Sequence, residues 1–390
     1  MKLGLNEIIS LFIVFVSLLL ATFLLSTRSA NYKSNVLLAF FLIISAQDAD
    51  AVIMSNFITP WSPALMVFFS LTVFFQAPLL YLYILSVIYS DFKLKQKHLL
   101  HEIPFILLNI LLIPRFYSTG FEGQMKYLEN LISVPHLEFQ ISFIVLHVQL
   151  LAYIIVCFIT VNNYRRVLLE NFSDAGLFHF KWLFQLILIF AVEILLASIK
   201  NIFMFMEIDL AHKYSMLLMS LVLLGYIIWM IFRAMHHPEL FRGIDSGLQP
   251  VKRLSRETGH LELIKSEVKH ENLETEKKIT LLNAFMTESA PYLDPSLTLY
   301  DLSKQLKMPA KELSMLINND LNQHFFDFVN GFRIRKAMEI LKDPGKKDLT
   351  VLEILYEVGF NSKSSFNTAF KKYTRLTPTE YRRKHLLSAA

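Results

Sequence analysis

The sequence predicts an all-α protein: an N-terminal seven-helix transmembrane bundle followed by a C-terminal tandem helix-turn-helix domain. Three observations predict it. Apolar runs of roughly twenty residues recur through the first 235 positions, broken by short polar loops. Charged residues are sparse before residue 235 and dense after it. Beyond residue 291, two short amphipathic segments joined by a tight turn occur twice.

Of 390 residues, 54% are hydrophobic and 18% charged, which excludes an ordinary soluble chain. The only cysteine, Cys157, lies in an apolar run, so neither an intrachain disulfide nor a cysteine-based zinc site is expected. The run Ile8 to Leu25 is longer than a signal-peptide core and no clear small-x-small site follows it, so it reads as a retained membrane helix.

The seven runs fall at about 7–26, 35–58, 64–89, 99–115, 139–161, 182–206 and 214–234. Loop charge orients them. One set of loops holds Arg28 and Lys33, then Lys93, Lys95 and Lys97, then Arg165, Arg166 and Lys181, then Arg233. The other set has no base at Thr59–Pro63, then Arg115 and Lys126 among acids, then Lys213 beside Glu207 and Asp209. The first set is the more basic and is expected in the cytoplasm. That puts the N-terminus outside and everything after residue 235 inside.

A linker is expected over residues 236–290. His237-Pro238, Gly243, Gly247 and Pro250 interrupt any helix at its start. A polar helical stretch follows from about Leu261 to Ser289. Leu261, Ile264, Val268, Leu282 and Phe285 approach heptad spacing, while Glu271 and Lys278 break it. Two readings stay open: a coiled coil, or a helix packed on its own domain.

Residues 291–390 form the last part. Leu299, Leu302 and Leu306 make one helix face, Lys307-Met308-Pro309 a turn, and Leu313, Leu316 and Ile317 the inward face of a second helix. Phe325 to Leu341 is a long connecting helix. The plan then repeats. Thr350 caps a supporting helix to Val358, Gly359 supplies a positive φ, and Phe360 packs the corner. In the second reading helix, Ser362 to Tyr373, the residues Phe366, Ala369, Phe370 and Tyr373 are expected inward. The candidate DNA contacts are Lys311, Ser314 and Asn318 in the first unit. In the second they are Lys363, Ser364, Asn367, Thr368, Lys371 and Lys372. Further bases, among them Arg333, Arg335, Arg375 and Arg382, could meet a polyanion.

Residues 291–385 resemble the DNA-binding domain of AraC/XylS-type transcriptional regulators. The most specific stretch is Glu357-Val358-Gly359-Phe360-Asn361 through Phe366, Phe370, Tyr373, Thr377-Pro378 and Glu380-Tyr381-Arg382. The whole chain resembles those members whose N-terminal half is a seven-helix membrane domain. His98–Pro104, His237–Phe241 and Pro291–Pro295 fit that subgroup. The resemblance implies sequence-specific binding of double-stranded promoter DNA as a homodimer, controlled by the N-terminal part, with RNA polymerase a partner if the protein is an activator. The chain departs from the family in carrying Asn322 and Arg375 where glycine usually follows each reading helix, and in Asn318-Asn319-Asp320 where lysine is common.

Ionisable residues inside a bilayer are costly and mark candidate sites. Asp48 and Asp50 lie in the second run, His147 in the fifth, Glu193 and Lys200 in the sixth. Glu193 and Lys200 share a helix face but lie about 10 Å apart along the axis, too far for a direct ion pair. Asp48, Asp50, His147 and Lys200 all fall in the outer half by the loop topology. They are expected to form a ligand or sensing site, against the alternative of structural ion pairs within the bundle.

The leading function is therefore a regulator held in the bacterial inner membrane, answering an unknown small ligand or membrane signal. The alternative is a transporter or channel with a DNA-binding regulatory tail, against which no inverted repeat or pair of broken helices is evident. No His-Glu-x-x-His, Walker, Gly-x-Ser-x-Gly or kinase motif appears, so neither an enzyme nor a cofactor or metal is expected.

Overall fold

The computed structural model describes residues 5–26, 32–49, 58–89, 92–133, 137–173, 177–236 and 268–387. Among them the regular elements are helices, and one isolated antiparallel bridge pairs Phe172 with Thr298. The chain divides into two compact units. The first comprises Met1–Asn162 and Phe178–Ser246, the second Asn163–Leu177 and Gly247–Ala390.

In the first unit α1 is Leu5–Ser26 and α2 Tyr32–Ala49. α3, Pro63–Ser70, runs through a 3-10 turn, Leu71–Phe75, into α4, Gln76–Ile88. Ser62 caps α3 by accepting a bond from the Leu65 amide, and Pro63 fits the first turn, where no amide donor is needed. A 3-10 turn, Gln96–Glu102, leads into α5, Ile103–Leu112, and then a π turn, Ile113–Tyr117. Pro114 lacks an amide hydrogen, which favours a slipped ladder there. α6 is Phe121–Ser133, α7 Leu137–Asn171, α8 Leu177–Phe205 and α9 Asp209–His236. α6 lies where the sequence shows only the polar loop that holds Lys126.

Among the described residues six helical stretches are long and apolar enough to cross a membrane: Leu5–Ser26, Pro63–Ile88, Gln96–Tyr117, Leu137–Asn171, Phe180–Met204 and Asp209–Phe232. They coincide with six of the seven expected runs. The remaining run, 35–58, begins on α2, whose apolar stretch Lys33–Ala46 is shorter, and residues 50–57 lie outside the described part.

These helices carry large apolar residues on their outward faces as well as their inward ones. α1 buries Ser10 and Ser17 together with Ile13, Val16, Leu20, Ala21 and Leu24, and exposes Phe12, Phe15 and Phe23. α7 exposes Ile144, Val148, Leu151 and Ile155 along one side. α1 packs on α2 and α9, and α2 on α4. Large apolar residues outward suit a hydrocarbon solvent, and in water such continuous patches favour association.

The second unit has two cores. α10, Val268–Glu288, buries Leu282 and Met286 against Leu302, Leu313, Ile317 and Val329. Of the two readings of the linker helix, it is the one packed on its own domain; Leu261 and Ile264 lie outside the described residues. α11, Leu299–Leu306, starts in a capping box between Thr298 and Asp301. Lys307 turns left-handed at φ 52°, and α12, Ala310–Met315, follows, extended by a π turn, Leu316–Asp320. α13, Phe325–Lys342, joins the cores. Phe325, Phe328 and Val329 enter the first, and Ile334, Ala337 and Leu341 the second. α14, Val351–Glu357, is capped by Thr350 with Glu353, and α15, Lys363–Thr374, by Ser362. α16 is Pro378–Leu387. Phe366 and Phe370 are fully buried with Ile354 and Leu355.

Gly359 turns α14 towards α15 with φ 89°. It is doubly required, because a Cβ there would lie 2.6 Å from the Tyr292 carbonyl oxygen and 2.7 Å from that of Leu293.

Candidate nucleic-acid interface and membrane cavity

Each helix-turn-helix half puts its apolar residues inward, and so leaves the start of the reading helix outward. On α12 Lys311 is exposed and Asn318, in the following turn, is half-buried. Ser314 departs from expectation. It is buried, and its hydroxyl and carbonyl accept bonds from the Asn318 amide at 3.2 and 2.8 Å. It orients Asn318 and does not itself reach outward, because α12 turns it between Leu313 and Ile317. On α15 Lys363, Ser364, Thr368, Lys371 and Lys372 are exposed and Asn367 is half-buried. Lys372 is engaged with Asp327 at 2.5 Å.

Tyr373 also departs from the inward expectation. It is 43% exposed, and its hydroxyl donates to the Asp327 carbonyl at 2.8 Å. A phenol finds a backbone acceptor more readily at the rim than inside the Phe366–Phe370 core. Gly331 makes the room, since a Cβ there would lie 2.8 Å from that hydroxyl oxygen. A hollow of about 320 Å³ lies beside it, lined by Asn318, Asn322, His324 and Lys372, so the ends of both reading elements share one rim.

Asn322 and Arg375 both adopt the left-handed conformation, at φ 50° and 63°. The Arg375 amide closes α15 on the Lys371 carbonyl at 2.9 Å. α12 is held from behind by Lys278 of α10, which bridges Glu312 at 2.8 Å and Glu274 at 3.0 Å. Those two carboxylates raise the Lys278 pKa, chiefly through their hydrogen bonds.

Among the described residues of this unit the most deeply placed charge is Arg333, 1% exposed, and so not one of the bases free to meet a polyanion as its sequence suggests. It donates to the carbonyls of Tyr292 and Asp294, each at 2.7 Å, and to the Asn330 side chain at 3.2 Å. It also donates to the Ser173 carbonyl at 3.3 Å and hydroxyl at 3.1 Å. Its register gives the signal that was available: it follows Val329 by four and precedes Ala337 by four, on the core stripe of α13.

In the first unit a cavity of about 380 Å³ brings together His147, Glu193 and Lys200 with Gln76, His212 and Tyr226. The His147 ring nitrogen meets the Phe143 carbonyl oxygen at 2.8 Å, and Gln76 donates to the Ser45 hydroxyl at 2.9 Å. Asp48 lies in the last turn of α2, with its side chain outside the described residues, and Asp50 lies outside them altogether. Gln76 and Tyr226 were not singled out together as a site, because residues on separate helices have no common spacing in a sequence. Among the described residues no group of three or more metal-binding side chains occurs.

Residues 302–384 match the family described as "Helix-turn-helix domain". Over 93 residues the chain is 37% identical to the uncharacterized transcriptional regulatory protein YesN of Bacillus subtilis (strain 168), covering 23% of this chain and 25% of that protein. Over 90 residues it is 27% identical to the melibiose operon regulatory protein of Escherichia coli (strain K12), covering 23% and 29%. The solved C-terminal domain of AraT, a response regulator from Geobacillus stearothermophilus, is 28% identical, covering 27% of this chain and 82% of that one with a TM-score of 0.23. The chain thus spans less than a third of the length of either of these two regulators. The C-terminal unit carries an AraC-type helix-turn-helix domain of the DNA-binding class, and its named homologues are transcriptional regulators.

Proposed function

We propose that the protein is a membrane-anchored one-component transcription regulator. One observation carries the reading: a single chain holds, among its described residues, six helices long and apolar enough to cross a membrane and an AraC-type helix-turn-helix domain. In this reading α2 completes a seventh crossing, the N-terminus is outside, and the second unit lies in the cytoplasm of a bacterial cell. The exposed phenylalanines of α1 and the exposed aliphatic side of α7 support burial in lipid.

Lys363, Ser364, Asn367, Thr368 and Lys371 of α15, with Lys311 and Asn318 of the first half, meet bases and phosphates. Lys372 takes a phosphate where Asp327 leaves it free to do so. Two copies on DNA, with RNA polymerase recruited where it activates, follow the behaviour implied by the AraC/XylS resemblance. His147, Glu193 and Lys200, with Asp48 and Asp50, form the sensing site, and what binds there biases the DNA-binding unit.

Reporter fusions test the arrangement. Fusions after Lys33, Lys97, Arg166 and Arg233 should report cytoplasm, and fusions near Trp61 and Gln124 the outside. An outside signal at Arg233 would remove the DNA-binding unit from DNA and sink the reading.

A further inference from the structure

The membrane-unit cavity has a directed polarity. Lys200 and His212 lie at the end nearest the α8–α9 turn, where the His212 ring nitrogen sits 3.2 Å from the Lys200 carbonyl oxygen. Tyr226 lies fourteen residues along α9 from His212, about 21 Å deeper. Between them the walls are mostly apolar, with Phe74, Phe143, Phe190 and Leu223 among them. Arg115 pairs with Glu138, whereas Lys200 makes no ion pair with any described residue. The Tyr226 hydroxyl, in a side chain 4% exposed, has no hydrogen-bond partner.

A cation at one end and an unsatisfied buried hydroxyl at the other, both on the same cavity, are groups that a ligand completes. Glu193 adds a carboxylate part-way down, which disfavours a second acid group at depth. The roughly 21 Å of α9 between His212 and Tyr226 is long enough for an extended chain of about ten carbons with a polar group at each end.

We infer that the cavity binds an elongated, mostly apolar monocarboxylic acid, its carboxylate paired with Lys200 and an oxygen at its far end bonded to the Tyr226 hydroxyl. This rests on the reading of the membrane half as a sensor and names the class of molecule sensed. Burial of the chain supplies most of the affinity, and the two polar ends supply selectivity.

The test uses the full chain in lipid nanodiscs and three probes: decanoate, 10-hydroxydecanoate and decylamine. Decanoate should bind at least tenfold more tightly than decylamine, and Lys200→Met should remove that advantage. 10-Hydroxydecanoate should bind more tightly than decanoate to the native protein and no more tightly to Tyr226→Phe. Filling the cavity with Ala197→Trp should abolish saturable binding of both acids, which separates the site from simple partition into lipid. Equal or tighter binding of decylamine would overturn the inference in favour of a cation site around Glu193. Decanoate affinity unchanged by Lys200→Met, or an equal affinity for the two acids in the native protein, would overturn it as well. DNA binding by the same preparation and the topology fusions are read separately, so a failure of the ligand class leaves its own signature while the regulator reading stands or falls on those.

Discussion

The buried guanidinium of Arg333 donates to both the carbonyl and the hydroxyl oxygen of Ser173, a residue 160 positions earlier and two past the end of α7. The same stretch is bonded again where the Ser173 amide donates to the Leu297 carbonyl at 3.2 Å. Arg333 also holds the carbonyls of Tyr292 and Asp294 and lies over the ring of Phe360, 5.5 Å from its centre. One side chain therefore ties the end of α7, the approach to the first helix-turn-helix half and the corner of the second.

Removing that side chain strands several buried carbonyls. Arg333→Ala should cost more than about 2 kcal/mol of stability, while Ser173→Ala, which loses one hydroxyl contact, should cost about 1 kcal/mol or less. Thermal unfolding of the full chain checks the order. Equal shifts would mean that the guanidinium is not the centre of the network.

Two left-handed residues should respond with opposite signs. Gly359→Ala brings a Cβ against two carbonyl oxygens at φ 89° and should cost more than about 2 kcal/mol. Arg375→Gly relieves a side chain held at φ 63° and should stabilise by roughly 0.5–1 kcal/mol. A stabilising Gly359→Ala would contradict the contact drawn between α14's turn and Tyr292.

Base contacts and core residues separate by what is lost. Lys363→Ala or Asn367→Ala should weaken specific binding more than binding to random DNA. Equal losses would make them phosphate contacts. Phe366→Ala, at a fully buried ring, should instead destabilise the second half by about 3–5 kcal/mol and abolish both kinds of binding.

Acid should loosen the second half through its caps. Glu353 and Glu380 accept bonds from the backbone and hydroxyls of Thr350 and Thr377, which hold their pKa values below the ordinary 4.5. A depressed folded pKa contributes stability that is present above the ordinary value and is lost as pH falls through the folded one. Helix content of the native chain should therefore decline below about pH 4.5, and Glu353→Gln with Glu380→Gln should flatten that decline. An unchanged acid profile in the double variant would place the loss elsewhere.

Much of this was legible in the sequence because the physics is local. Period-3.6 apolar faces gave both helix-turn-helix halves, and Thr350, Gly359 and the burial of Phe366 and Phe370 all fell where spacing put them. Six apolar runs were legible from length alone. What was hidden depends on contacts between distant residues. Arg333 looked like a surface base until Ser173 and Tyr292 closed over it. Ser314 looked exposed because helical phase near a short α12 is ambiguous by one position. His147, Glu193 and Lys200 could be named one by one, but only the packing of several helices shows that they share a cavity with Tyr226. Whether α10 packed on a partner or on its own domain turned on Leu282 and Met286 meeting Leu302, which no periodicity specifies.

The central claim is that one membrane-anchored chain binds particular promoters. The measurement that meets it most directly is a genome-wide DNA-binding map of the full-length tagged chain recovered from the membrane fraction. The claim predicts a small set of discrete promoter sites that disappear in the Lys363→Ala, Asn367→Ala double variant while its membrane abundance is unchanged. Uniform low-level DNA recovery that is the same in the native chain and the double variant would contradict it.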